Sequence, residues 1–198
     1  MSRFFLLLVL PVLAIALFFF SNIRGYYRFK EICARDGGVR VYQPLERNVG
    51  WTVGGGRMQD TGMPVVFPEV AFVRYRNEKD GQWYDVYRVP KLKVGDDGFA
   101  QQTADLSKPV VYAYGWHQED LKDELRMSTA VYEVIDLRTS KIAATYTTFG
   151  YSKFEPSNTL LAAPSGEECP EDVIRRDEST GKNFPLKREL AFSAMFVQ

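Results

Sequence analysis

The hydrophobic pattern divides the chain into an uncharged start and a long remainder in which charged residues recur throughout. Residues Phe4 to Ile23 carry no charge, and their large apolar side chains surround the whole helical cylinder. A soluble helix buries a single stripe, whereas a helix of about twenty residues, roughly 30 Å long, matches the hydrocarbon thickness of a bilayer. We therefore predict a transmembrane anchor at residues 4–23, within a first segment 1–23.

A cleavable signal peptide is the alternative for this segment, because a basic residue before an apolar run is also how such a peptide begins. Phe18, Phe19 and Phe20 occupy the region where small residues in an Ala-x-Ala pattern should precede a cleavage site. The sequence therefore favours an uncleaved anchor.

Two opposing signals bear on the orientation of this anchor. Arg24, Arg28 and Lys30 outnumber Arg3 and the α-amino group, which favours a cytoplasmic C-terminal side. A short N-terminal tail nevertheless stays inside readily while a long domain is translocated, and the two cysteines favour export. We expect the domain outside the cytoplasm, against the charge rule, with a cytoplasmic domain carrying free thiols as the alternative.

After the anchor, apolar positions of helical spacing predict a juxtamembrane helix within residues 24–38. Phe29, Ile32 and Cys33 would share one face, and Asp36-Gly37-Gly38 is a typical helix stop. Residues 39–198 would then form a β-rich domain. Its first strand is predicted at 39–42, and the glycine-rich stretch 48–64 is interpreted as a loop.

Alternating β-branched and aromatic residues predict a sheet built around two hairpins. The first hairpin turns near Asp80-Gly81 and the second at residues 138–141. The predicted strands are 70–76 and 83–89, 129–137 and 142–151, 110–114, and 190–196.

Two stretches depart from this alternation. Between Trp116 and Arg126, Leu121 and Leu125 lie four residues apart behind several acids, which predicts a short amphipathic helix. Residues 152–183, which are interrupted by prolines, are interpreted as irregular. The predicted fold class is α+β, a mostly antiparallel β domain with one or two short helices, behind an N-terminal transmembrane helix.

Charge balance argues against nucleic acid as a partner. The chain carries 25 basic and 25 acidic residues, and one of the basic residues, Arg3, precedes the anchor. The remainder therefore has 24 basic and 25 acidic residues, a net charge near −1, and offers no long-range attraction for a polyanion.

The two cysteines, Cys33 and Cys169, most simply pair if the domain is exported. Such a bridge would tie the membrane-proximal segment to the last third of the chain. The alternative, which fits a cytoplasmic domain, is two unrelated buried thiols.

Candidate chemistry is sparse. His117 is the only histidine, which removes most zinc sites and most acid–base schemes, and a thiol nucleophile would have to pair Cys33 or Cys169 with it. We expect no catalytic residue, no metal and no cofactor. The residues proposed as binding candidates are the aromatic side chains and the histidine that could line a binding face: Trp83, Tyr87, Trp116 and His117.

The segment CARDGGVRVYQPL, Cys33 to Leu45, resembles a pattern found in small uncharacterised membrane-anchored proteins of Gram-negative bacteria. In that family a Cys, an Asp-Gly-Gly and a Val-Tyr follow an N-terminal apolar helix. The resemblance implies a paired cysteine and an envelope location, here a single-pass inner-membrane protein with a periplasmic C-terminal domain. It implies no activity.

These observations predict a membrane-anchored envelope protein that is not an enzyme. The domain would bind a partner protein of the envelope, or support an assembly, through a sheet edge or an aromatic face. The alternative is an envelope enzyme or small-ligand binder centred on Trp116-His117 and the neighbouring acids.

Overall fold

The computed structural model describes residues 2–54, 61–89, 99–124, 126–152, 166–169, 172–178, 180–187 and 191–196. The helices are α1 (Ser2–Asp36), α2 (Gly62–Val65) and a 3-10 turn (Ser193–Met195). The strands are β1 (Gly38–Val41), β2 (Val49–Val53), β3 (Val70–Arg76), β4 (Trp83–Arg88), β5 (Phe99–Thr103), β6 (Val110–Asp120), β7 (Met127–Asp136), β8 (Lys141–Ser152), β9 (Gly166–Cys169), β10 (Asp172–Asp177) and β11 (Lys182–Lys187).

The strands form one mixed sheet in the order β11-β10-β1-β8-β7-β6-β2-β3-β4-β5, and β9 pairs with β8. Within the described strands, β1 is parallel to β10, and β2 is parallel to both β3 and β6. The pairs β1–β8, β10–β11, β3–β4, β4–β5 and β8–β9 are antiparallel. The prediction of a mostly β fold with few helices is confirmed.

The chain divides into two compact units. Unit 1 comprises Met1–Gly37, Gln118–Ala130 and Thr148–Glu171, and unit 2 comprises Gly38–His117, Val131–Thr147 and Asp172–Gln198. Three of the five boundaries therefore fall inside β6, β7 and β8, and the other two precede β1 and β10.

Helix α1 ends where the sequence predicts. The amide of Gly37 donates to the carbonyl of Cys33 at 2.9 Å, and Gly38 adopts φ +105°, which a residue with a side chain rarely tolerates. Among the residues described, no helix is both long enough and apolar enough to cross a membrane, and the span expected at residues 4–23 is therefore not found.

The core of unit 1 is built on the C-terminal part of α1. Phe29 is fully buried and stacks on Tyr151 of β8 with ring centroids 5.6 Å apart. Gly25, one turn earlier, lets the helix approach, because a Cβ there would lie 2.9 Å from the Tyr151 hydroxyl. Cys33 forms a disulfide with Cys169 of β9, as the sequence predicts. Other core members are Ile32, Met127 and Phe149.

The core of unit 2 covers one face of its sheet. Trp51, Val73, Val86 and Tyr112 occupy neighbouring positions on four strands and are all buried. The segment around the 3-10 turn packs on this face, where Phe196 lies 5.8 Å from the Trp51 ring.

The loop predicted at residues 48–64 is wrong at both ends, and at its C-terminal end Gly62–Val65 form α2. Residues 49–53 form β2, an internal strand between β6 and β3. Gly50 does not mark a loop: a Cβ at this position would lie 2.2 Å from the Phe72 ring, so glycine is needed for close packing. Residues 55–60 lie outside the described residues.

The helix predicted between Trp116 and Arg126 is also wrong. Strand β6 continues to Asp120, and the chain then turns into β7, with the amide of Leu121 donating to the carbonyl of Met127. The four-residue spacing of Leu121 and Leu125 therefore belongs to a hairpin end, and residue 125 itself lies outside the described residues.

The C-terminal predictions need two corrections. The expected strand 190–196 is instead a turn at residues 191–196, in which Ala191, Met195 and Phe196 are buried. The stretch 152–183 is not wholly irregular, because it contains β9, β10 and the start of β11; residues 153–165 lie outside the described residues.

The β7–β8 turn is fixed by Asp136, whose side chain is almost fully buried. Its carboxylate accepts from the backbone amide and guanidinium of Arg138 and from the side-chain amide of Gln43. Hydrogen bonds from Arg138 lower the pKa of Asp136 to about 2, against an ordinary 3.8. A lowered pKa in the folded state means that ionisation stabilises the fold.

We predict that Asp136→Asn lowers the free energy of unfolding at pH 7 by about 1–3 kcal/mol, because buried donors lose a charged acceptor. In the wild type, the stabilisation that the ionised Asp136 carboxylate provides should be complete above about pH 4 and disappear as the pH falls through 2. Urea unfolding of wild type and variant at several pH values measures this. Asp120→Asn, at an exposed acid, is the control, and a cost that does not shrink towards pH 2 would contradict the assignment.

We predict that replacing both cysteines, Cys33→Ser with Cys169→Ser, lowers the free energy of unfolding by about 2–5 kcal/mol. The bridge spans 136 residues and ties α1 to β9, so its loss releases a long loop in the unfolded chain. Chemical unfolding with and without reductant tests this: reductant should weaken the wild type and leave the double variant unchanged. Equal stability of the two proteins would contradict it.

Candidate functional site

Both cysteines are consumed by the disulfide, so no free thiol exists for a Cys–His nucleophile. In the described part of the chain, no three His, Cys, Asp or Glu side chains meet as a metal site would require. The described residues do include exposed aromatic side chains and a strand edge, through which a partner could be recognised.

Trp116 and His117 are adjacent on β6 and point to opposite faces, because side chains alternate along a strand. Both are exposed, and the Trp116 ring stacks on Tyr132 of β7 at 6.3 Å. The structure therefore does not bring these two candidates together on one surface.

Trp83 and Tyr87 do share a face, since both lie on β4 with Asp85 between them. Trp83 is 41% exposed, and the Tyr87 ring lies 5.9 Å from Phe72 of β3. Tyr87 is also hydrogen-bonded to Gln102 of β5, whose side-chain amide donates to its hydroxyl at 3.0 Å. These two candidates therefore border β5.

A buried ion pair fixes this end of the sheet. Arg74 of β3 donates from Nε and Nη2 to the two carboxylate oxygens of Asp85 at 2.7 and 2.9 Å, and Asp85 is fully buried. The same guanidinium donates to the carbonyls of Asp105 and Lys108, while the Asp105 amide donates to Asp85. The pair is thus geometrically complete, which is the condition for a buried pair to be tolerated.

The pKa values agree with this geometry. Hydrogen bonding to Asp85 raises the pKa of Arg74 despite its burial, so the guanidinium is charged at all accessible pH values. Hydrogen bonds from the side chain and backbone of Ser107 lower the pKa of Asp105. The same hydrogen bonds hold together the turn that follows β5.

Strand β5 is the last strand of the described sheet. The amide of Ala104, just after it, donates to the carbonyl of Trp83, and Gln102 lies opposite Asp85. Because backbone groups alternate sides along an antiparallel strand, Ala100 and Gln102 face β4, whereas Phe99, Gln101 and Thr103 direct their N–H and C=O groups outward. No described residue pairs with that outer edge.

The two edges of the sheet differ in how they are protected. Strand β11 has the sequence KNFPLK, with Pro185 and two lysines, which are the usual devices against unwanted strand pairing. Strand β5 has the sequence FAQQT, without charge or proline, and four of its five residues are exposed. Strand β5 is therefore the open edge.

No protein family, curated protein or solved structure matches this chain. The functional conclusion therefore depends on the geometry of the described residues.

Sequence reasoning identified the aromatic residues beside this edge but missed the edge itself. FAQQT contains no β-branched residue before Thr103 and little alternation, so it carries almost no strand signal. The available signal was indirect: the charged pair of Arg74 and Asp85, on two apolar strands, requires a polar covering segment such as residues 104–109.

We predict that Asp85→Ala lowers the free energy of unfolding by about 3–5 kcal/mol, because it leaves the Arg74 guanidinium buried without its counter-charge. The double variant Arg74→Met with Asp85→Leu should recover most of that loss, since replacing both partners by apolar groups is often neutral. Urea unfolding of both variants measures the difference. A single variant that costs less than about 1 kcal/mol would show that the pair is not sealed from water.

Proposed function

We propose that this chain is a membrane-anchored, non-enzymatic protein of the bacterial envelope that binds an extended segment of a partner protein along β5. The observation that carries the proposal is the uncharged outer edge of that strand, with which no residue that the structure describes is paired. Strand addition to such an edge takes its affinity from main-chain hydrogen bonds and its specificity from alternate side chains.

Side chains of β3 and β4 hold the edge in place in the chain alone. Tyr75 donates to the side-chain oxygen of Gln101 at 3.2 Å, and Gln102 donates to Tyr87, so β5 is held from both faces of the sheet. The Arg74–Asp85 pair fixes β3, β4 and the turn after β5. A preorganised edge loses little conformational entropy on binding, which favours affinity for a short segment.

The neighbouring aromatic residues supply side-chain contacts. Tyr87 lies directly opposite Ala100 and is half-buried, with the Lys108 ammonium 5.6 Å from its ring centroid. Trp83 is exposed on the same face of β4. A bound strand could therefore contact these rings with every second side chain, while its backbone pairs with β5.

The membrane anchor is supported by the sequence and by the exposure of α1. Residues 4–23 carry no charge, and the side chains of Val12, Leu13, Phe20 and Ile23 are each more than half exposed. Such exposed apolar side chains on a helix require lipid or protein around them. The disulfide and the family resemblance of Cys33–Leu45 support an inner-membrane protein with its domain in the periplasm.

The two other functions suggested by the sequence gain less support. An enzyme or ligand site centred on Trp116-His117 needs both side chains at one surface, but adjacent strand residues point to opposite faces. A cytoplasmic domain with free thiols conflicts with the Cys33–Cys169 disulfide.

Gln101→Pro tests the β5 edge, because proline removes the outward N–H of the central residue without touching the bonds between β5 and β4. A photo-crosslinking residue at Thr103 of the full chain, irradiated in cells, should give a discrete protein adduct. We predict that Gln101→Pro reduces that adduct at least about tenfold, the effect of about 1.4 kcal/mol lost at the edge.

Gln101→Ala is the matched control, because it loses the same side chain and the Tyr75 hydrogen bond but keeps the N–H. It should retain the adduct, and a crosslinker at Asn183 on the protected β11 edge should give none. The proposal fails if no adduct forms at Thr103, or if the proline and alanine variants behave alike while circular dichroism shows both folded.

A further inference from the structure

A cleft of about 760 Å³ lies in unit 1, between the part of α1 that follows the apolar run and the β6–β7 turn. Its charged and aromatic lining residues are Arg24, Tyr27, Arg28, Glu31, Asp123 and Glu124. The four that come from α1 have the spacing i, i+3, i+4, i+7, which places them on one stripe of the helix. A volume of this size is ordinary for a small-ligand site.

Three of the lining charges are already engaged with one another. Arg28 donates from Nε to Glu124 and from Nη1 to Glu31, both at 2.9 Å. This triad bridges the helix and the turn and carries a net charge of −1. It therefore forms a fixed, slightly acidic part of the wall.

The other two charges have no such engagement. Neither Arg24 nor Asp123 forms a hydrogen bond or an ion pair within the described part of the chain, although both line the same cleft. The cleft thus offers one unengaged cation and one unengaged anion beside the acidic triad. The lining residues that the structure describes carry a total charge of −1, from two arginines against three carboxylates.

We propose that this cleft binds a zwitterionic group that combines a phosphate with a primary ammonium, and that its source is the headgroup of an ethanolamine phospholipid. Arg24 binds the phosphate, while the carboxylates of Asp123, Glu31 and Glu124 accept hydrogen bonds from the ammonium. The proposal rests on the membrane anchor in the proposed function and is independent of the β5 edge.

Charge and chemistry disfavour the other simple ligands. A plain anion meets a cleft of net negative charge, and a divalent cation lacks a described group of three converging ligands. A choline headgroup has no N–H to donate and is held by cages of several aromatic rings, whereas Tyr27 is the only ring among the described lining residues. A primary ammonium has three donors for the carboxylates.

The place of the cleft along the chain fits a lipid source. Arg24 directly follows Ile23, the last residue of the uncharged run, and Tyr27 one turn later is 69% exposed. Arginine and tyrosine at this distance from an apolar helix lie at the headgroup level.

Native mass spectrometry of the full chain in detergent, titrated with phosphatidylethanolamine, phosphatidylcholine or phosphatidylglycerol of the same acyl chains, tests the proposal. We predict at least about tenfold tighter binding of the ethanolamine lipid than of the other two, and loss of that preference in Arg24→Gln and in Asp123→Asn. Arg35→Gln and Asp120→Asn, which change the same charges outside the cleft, should keep it.

Equal binding of the three lipids, or cleft variants that behave like their controls, would overturn the assignment. Soluble glycerophosphoethanolamine distinguishes the source: binding as tight as that of the lipid would place the ligand in solution and reject the lipid.

Flotation of the full chain with liposomes tests the anchor separately. A chain that floats without lipid preference overturns the cleft alone, and one that does not float rejects both the cleft and the anchor, leaving the β5 edge to be judged by crosslinking.

Discussion

Every open β-sheet ends in strands whose outer N–H and C=O groups have no partner within the sheet, and the proposed function depends on this constraint. At one end, the sequence of β11 contains Pro185 and two lysines, residue types that disfavour pairing at an edge strand. At the other end, β5 presents FAQQT without such protection, and it does so on a base held by the buried Arg74–Asp85 pair. An edge that is open and held by contacts with β3 and β4 is suited to a partner strand, because the partner would complete hydrogen bonds that the described sheet leaves unmade.

In unit 1, side-chain contacts and a disulfide hold the part of α1 that follows the apolar run. Phe29 stacks on Tyr151, Gly25 permits the close approach, and the disulfide joins Cys33 to β9. These contacts lie on one stripe of α1. The neighbouring stripe, which contains Arg24 and Arg28, remains at the surface and lines the cleft.

Secondary-structure features that depend on neighbouring residues were predicted correctly, whereas those that depend on contacts between residues distant in sequence were not. Both hairpins and the end of α1 were predictable, because alternation, turn residues and the Gly37-Gly38 stop act within a few residues. Strand β2 was not, since its Gly50 is needed only for contact with Phe72, which is distant in sequence. The same applies to the helix expected at Trp116–Arg126, where tertiary pairing of β6 with β7 overrode a local helical pattern.

The candidate site shows the same division. Trp83 and Tyr87 were identifiable as aromatic residues on a predicted strand, but Gln101 was not, because its role depends on which backbone groups β4 leaves unpaired. Likewise the pairing of Cys33 with Cys169 followed from their count and the expected export, whereas the cleft in unit 1 could be recognised only once the β6–β7 turn was placed against α1.

Amide hydrogen exchange along β5, measured on the full chain after purification and again in native envelope membranes, tests the central claim most directly. We predict that Gln101 and Thr103 exchange rapidly in the purified chain and become protected in the native membranes, while Gln102 stays protected in both. Protection of Gln101 in the purified chain, or no gain of protection in the membranes, would contradict an open edge that a partner strand occupies.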